Sequence, residues 1–224
     1  MKTEIIDKLA AEFKAANFFE QIPAQIDGYQ LKKIFTDNGD KFFYFTYENI
    51  SMHRSLTTYF HDETKEYKVC VSIGLTEFCL TNFFTEDFNH FKEILIDKLD
   101  DAIKNLSAQI DADSDFFIAD KKFSTWQYGL NLPQNLEGFE LFITPQFPVR
   151  ITNGSYIIIN YSDFAANLEL SIFYNVYGDT FSGESQIGGV HNPLYIFDAK
   201  NLDELEKILV ENLENELKKI ISDG

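Results

Sequence analysis

Gly183-Glu184-Ser185-Gln186-Ile187, with His191 close behind, approaches the turn that presents a nucleophilic serine to a base. That turn needs a glycine two residues after the serine, so that the chain can fold sharply beneath an exposed hydroxyl. Ile187 stands there instead and Gly188 comes one residue late. The strand-turn-helix context is also missing, so a catalytic serine is not the reading we favour.

Asp111-Ala-Asp113-Ser-Asp115 begins like a calcium loop. Calcium requires a glycine at the sixth position for the bend and a bidentate acid at the twelfth. Phe116 and Lys122 occupy those places, so the segment reads as an acidic linker. His53, His61 and His90 have no ligand spacing to another His or Cys, and His61-Asp62-Glu63 reads as a solvated hairpin tip. No metal or cofactor is expected from these patterns. Cys70 and Cys79 are expected to be reduced thiols in a chain without an export signal, although two cysteines facing each other could oxidise or bind metal. Arg54 and Arg150 are the only arginines, and each is expected in a surface ion pair. Trp126, the only tryptophan, is expected as a core or interface anchor.

The elements that must position these residues follow from a repeat. Ile22-Pro23 through Asp27-Gly28-Tyr29-Gln-Leu31 returns as Leu132-Pro133 through Glu137-Gly138-Phe139-Glu-Leu141, shifted by 110. Farther on the shift is 114, pairing Tyr47 with Tyr161, Leu56 with Leu170, Phe83 with Phe197 and Leu99 with Leu213. Each copy carries an Asn-Gly step, Asn38-Gly39 and Asn153-Gly154, suited to the positive φ of a tight hairpin turn. The first copy opens with a helix-compatible stretch over about 3–19, with Ile5, Ile6, Leu9, Phe13 and Ala16 on one face. A shorter helix is expected near 120–128 in the second.

A two-residue Gly74-Leu75 turn would set Val71 against Phe78 and Cys70 against Cys79 on opposite faces. Each copy closes with an amphipathic helix: Thr85 is the expected cap of the first and Asn201 of the second. The fold class is therefore α+β, a tandem duplication of an α-β(4-5)-α unit over residues 1–110 and 111–224. Each copy is expected to be an antiparallel sheet covered by amphipathic helices.

The chain carries 19 basic and 36 acidic residues, a formal charge of −17. Residues 1–110 contribute 12 basic and 18 acidic groups, residues 111–224 contribute 7 and 18. Such a surface repels phosphate backbones and attracts basic proteins, so a basic protein partner is expected and nucleic acid is not. The amphipathic acidic N-terminus does not resemble a signal peptide, and no apolar run is long enough to span a bilayer, so a cytoplasmic location is expected.

Three functions are compatible. The first is a non-enzymatic protein-binding module of the inhibitor, immunity or adaptor type, which would show an exposed aromatic patch rimmed by carboxylates. The second is a small-ligand binder or hydrolase with a pocket between the repeats, in which Glu184, Ser185 and His191 would converge. The third is an assembly protein in which duplication replaces a homodimer. The copies differ in three places: the segment Ser182–His191, the insertion Pro145–Arg150 and the acidic linker. Val69, Val71 and Phe78 of the first copy become Gly183, Ser185 and Asn192, which reads as either a loosened hairpin or a polar recognition loop. Partner or ligand contacts are accordingly expected at Arg150, Ser182, Glu184, Ser185 and His191.

Overall fold

The structure, a computed structural model, describes residues 3–15, 17–109, 111–151 and 154–224. It is α+β, with two antiparallel sheets of six and seven strands and their helices. The chain divides into two compact units, Met1–Ala108 and Gln109–Gly224. The side chains of Ile5 and Ala16 on the first helix face, and the Thr152-Asn153 half of the second Asn-Gly turn, lie outside the described residues. Among the described residues, no helix is long and apolar enough to cross a membrane.

In the first unit Asp27 and Gly28 both adopt left-handed backbone (φ 46° and 84°), the geometry that Gly reaches without a Cβ clash. This bends β1 (Gln25–Ile26) back onto β2 (Tyr29–Asn38). The sheet continues in chain order through β3 (Lys41–Asn49), β4 (Arg54–His61), β5 (Glu66–Ile73) and β6 (Thr76–Cys79). A bulge between Phe43 and Phe45 leaves Tyr44 opposite no residue of β4. Bulged residues break the period of two. Tyr44 and Phe45 therefore both reach Phe13 of α1 (Thr3–Ala15), Tyr44 stacking at 3.9 Å between ring centroids. The Tyr47 hydroxyl donates to the Pro23 carbonyl. Residues Cys70 and Cys79 pair across β5 and β6, and Val71 pairs with Phe78, the register that the Gly74-Leu75 turn requires. The reduced thiols expected from sequence are corrected: cross-strand pairing brings the two sulfurs together, and they form a disulfide.

Helix α2 (Phe88–Ser107) buries Phe91, Leu95, Leu99, Ile103 and Leu106, a stripe of helical period, against this sheet. Its cap is Asp87 rather than Thr85. The Asp87 carboxylate accepts from the His90 backbone N–H at 2.8 Å, while the Thr85 hydroxyl accepts from the N–H of Asp87 itself at 3.2 Å. Both are good cap residues, and the point where helical backbone begins decides between them. Asp87→Ala is expected to cost about 0.5–2 kcal/mol, against a smaller loss for Thr85→Ala. Urea unfolding followed by circular dichroism would measure both, and the reverse order would reject this cap. At the other end Arg54 is not the exposed ion-pair partner expected. It donates to the Leu106 carbonyl at 2.5 Å, where a cation suits the unpaired carbonyls of a helix C-terminus.

The second unit opens differently. A single helix near 120–128 was expected, but the chain forms two 3-10 turns, Ala119–Lys121 and Phe123–Thr125, and one turn of α3 (Gln127–Leu130). Lys122 at φ 61° breaks any continuous helix between them. Strands β7 (Asn135–Leu136), β8 (Phe139–Ile143), β9 (Val149–Arg150), β10 (Ser155–Asp163), β11 (Leu168–Asn175), β12 (Thr180–Ile187) and β13 (Val190–Ala199) follow, then α4 (Leu202–Asp223). The sheet order is β13-β12-β11-β10-β8-β7, with β9 paired to β10. Six and seven strands replace the four or five expected per unit, because two-residue strands such as β1, β7 and β9 are too short to show alternation.

Glu137 and Gly138 are left-handed (φ 51° and 91°), and the Tyr161 hydroxyl donates to the Pro133 carbonyl at 2.8 Å. A bulge between Ile157 and Ile159 lets Ile158 and Ile159 both join the core. Asn201 caps α4 through the Glu204 N–H, as expected. Trp126 packs into this core, and its indole N–H donates to Glu206 at 2.7 Å.

Candidate functional site

Residues 111–115, expected as an acidic linker, belong to a segment, 111–125, that is folded onto the second sheet. Ala112, Ile118 and Phe123 are buried in the core of the unit. The Ala112 N–H donates to the Gln146 carbonyl at 3.1 Å, joining the segment to the Pro145–Arg150 insertion. Lys121 reaches the carboxylate of Asp179 at 2.8 Å, and the Tyr174 hydroxyl donates to the same oxygen.

Asp115 sets the turn between these anchors. One carboxylate oxygen accepts from the Phe117 N–H and the other from the Tyr156 hydroxyl, each at 2.9 Å. Burial, followed by this carboxylate, raises the Tyr156 pKa above the ordinary phenol value, so the phenol stays a donor. With Ala112 and Ile118 turned inward, Phe116 and Phe117 are turned outward, 91% and 44% exposed. Their rings meet edge to face at 5.6 Å. The Arg150 guanidinium lies 4.7 Å over the Phe117 ring and 5.9 Å from that of Tyr156, within cation–π range. Phe147, in the turn joined to Ala112, is also exposed, and so are Asp111, Asp113 and Asp120. The result is an aromatic surface with an arginine in it and aspartates around it.

Of the expected site residues, Arg150 belongs to this surface. The other four lie on β12 and β13. This hairpin is not loosened: it pairs continuously from Gly183–Leu194 to Ile187–Val190 and closes on Gly188 and Gly189, both at positive φ. Directly paired residues share a sheet face. Ser185, opposite Leu170, is buried on the side of the core, whereas Glu184 and His191 lie on the other side with Gln186. The structure thus joins Glu184 to His191 Nδ1 and separates both from Ser185. Ser182 is exposed on the strand and shares the side of Glu184. On that side the hydrogen-bonded side chains of Asn160, Ser162, Glu169 and Ser171 form a buried polar cluster.

Phe116 and Phe117 are site residues that no motif spacing in the sequence points to. The usable signal was two consecutive large apolar residues inside a run of aspartates.

No protein-family model matches the chain, and no curated protein or solved structure matches it either. The functional reading therefore rests on this geometry.

Proposed function

We propose that the chain is a protein-binding module that receives a basic partner on the surface made by Phe116, Phe117 and Arg150. The observation that carries this reading is the guanidinium of Arg150 stacked on Phe117 beside a fully presented Phe116, within an aspartate-rich turn. Exposed bulky apolar side chains in a cluster mark interaction sites, and aromatic and arginine side chains dominate binding energy at interfaces. The flanking aspartates and the charge of −17 favour approach of a cationic surface.

We also infer that the two units arose by tandem duplication of one α-β-α unit. Support comes from features recurring at matched positions: the tyrosine–proline bonds of Tyr47 and Tyr161, the bulges at Tyr44 and Ile158, and the helix caps Asp87 and Asn201. On this reading the opening segment of the second unit diverged from a helix into the turn that presents the surface.

Selection of displayed random peptides on the whole chain tests the binding reading. Lysine- or arginine-rich peptides carrying an apolar residue are expected to be enriched. Phe117→Ala and Arg150→Ala are each expected to weaken a selected peptide by at least about tenfold. Added salt should weaken it further. Enrichment of acidic peptides, or equal binding by both variants, would reject the proposal.

A further inference from the structure

We propose that Asp40, His61 and Glu63 of the first unit form a binding site for one divalent transition-metal ion, with Zn²⁺ as the best fit. In sequence His61 and Glu63 form part of a hairpin tip, and Asp40 stands on a different turn. Pairing of β3 with β4 sets Lys41 opposite His61, which carries the two turns to the same end of the sheet. The Asp62 N–H donates to the Asp40 carbonyl at 2.7 Å and holds the turns together. One ligand atom from each of Asp40, His61 and Glu63 then lies within 4.8 Å of the others.

The imidazole is oriented for this task. Its Nδ1 is 3.0 Å from the Thr64 hydroxyl, and its Nε2 is 2.8 Å from an Asp40 carboxylate oxygen. Metal-binding histidines present one nitrogen to the ion and give the other ring N–H to an outer partner, here Thr64. The Asp62 carboxylate is engaged by Lys65 at 2.5 Å and is not one of the three clustered ligands. Zinc bonds of about 2.0–2.1 Å put tetrahedral ligand atoms about 3.3 Å apart. Nε2 and the Asp40 oxygen need only separate slightly, and the exposed Glu63 side chain can rotate inward. The ion takes the place between Nε2 and the Asp40 carboxylate, and it binds imidazole in its neutral form.

The donor set selects the class of ion. One imidazole and two carboxylates suit Zn²⁺, Co²⁺ or Ni²⁺, whereas calcium wants six to eight oxygens. Three protein ligands leave a fourth position for water.

Calorimetric titration of the whole chain with Zn²⁺ tests the site. One equivalent is expected to bind well above any weaker carboxylate background, and Ca²⁺ in excess should leave it in place. His61→Ala and Glu63→Gln should each weaken the site by at least about tenfold, with the far-ultraviolet spectrum unchanged. His90→Ala should have no effect, since His90 is exposed, lies 3.8 Å from Glu93 and is not one of the three clustered ligands. Co²⁺ should give a visible d–d band that His61→Ala abolishes. Should His61→Ala disturb folding, Glu63→Gln carries the test, because that side chain is exposed. Several weak equivalents indifferent to Glu63→Gln, or displacement of Zn²⁺ by Ca²⁺, would overturn the proposal.

Discussion

Ile118→Ala is expected to destabilise the second unit by about 2–5 kcal/mol, a large share of the stability of a domain this size. Ile118 is fully buried in the core of the unit, which also holds Phe123, Tyr156 and Tyr174. Truncating it removes several methyl and methylene groups from the core and leaves a cavity that the sheet beneath cannot close. Its neighbours on both sides are polar or exposed, so the loss falls on one anchor of the folded segment. The remaining anchors are Ala112, Phe123 and the Lys121–Asp179 pair. The variant should therefore become sensitive to trypsin at Lys121 and Lys122 under native conditions, while Phe116→Ala, at 91% exposed, should change neither stability nor cleavage. A chain in which Ile118→Ala unfolds like the parent, and is cleaved no faster, would mean that segment 111–125 is a tether after all. The same pair of variants separates stability from binding, because Phe116→Ala removes surface from the proposed interface without touching the core.

Gly183→Val should destabilise the same unit by about 1–3 kcal/mol or more, even though valine is the better strand former. A Cβ at position 183 would sit 2.6 Å from Cδ2 and 2.8 Å from Cβ of Phe197. Both atoms belong to the packed stem and ring of a fully buried phenylalanine, which has no room to withdraw. Gly183 is thus the space that Phe197 needs. Val69, at the matched position of the first unit, is itself buried. Combining Gly183→Val with Phe197→Ala is expected to cost less than the two losses added, since the valine fills part of the vacated volume. Chemical unfolding of the four proteins in that cycle measures the coupling. Strict additivity would mean that the two positions do not compete for space.

These two positions show where sequence reading stopped. Gly183 and its polar neighbours looked like a loosened hairpin because strand propensity and alternation were weak there. The strands pair all the same, and the register shift beside Gly183 sets Phe197 of the paired strand β13 against it, a contact that strand propensity does not encode. The linker expected at residues 111–115 is likewise part of a folded segment, 111–125. Its aspartates dominate the local composition, while the residues that hold it, Ala112, Ile118 and Phe123, are spaced too irregularly to display a period. The cap of α2 was a choice between two suitable residues two positions apart, which only backbone geometry settles. By contrast, the register of β5 on β6 was legible to the residue pair. A two-residue turn leaves no freedom once the face of each strand is set by hydrophobic alternation.

The sequence by itself determined the α+β class, the antiparallel sheets and the pairing of β5 with β6. Each of these follows from periodicity within a short stretch of chain or from turn residues that admit one backbone geometry. Tertiary structure alone decided which surface residues meet. It stacked Arg150 on Phe117, set Ser185 on the opposite face from His191, and carried Asp40 to His61 and Glu63. The first and third depend on side chains 21 to 33 residues apart being brought together by sheet pairing and core packing, and such distances leave no mark on local pattern; the second follows from the register of β12 on β13, which the two-glycine turn sets.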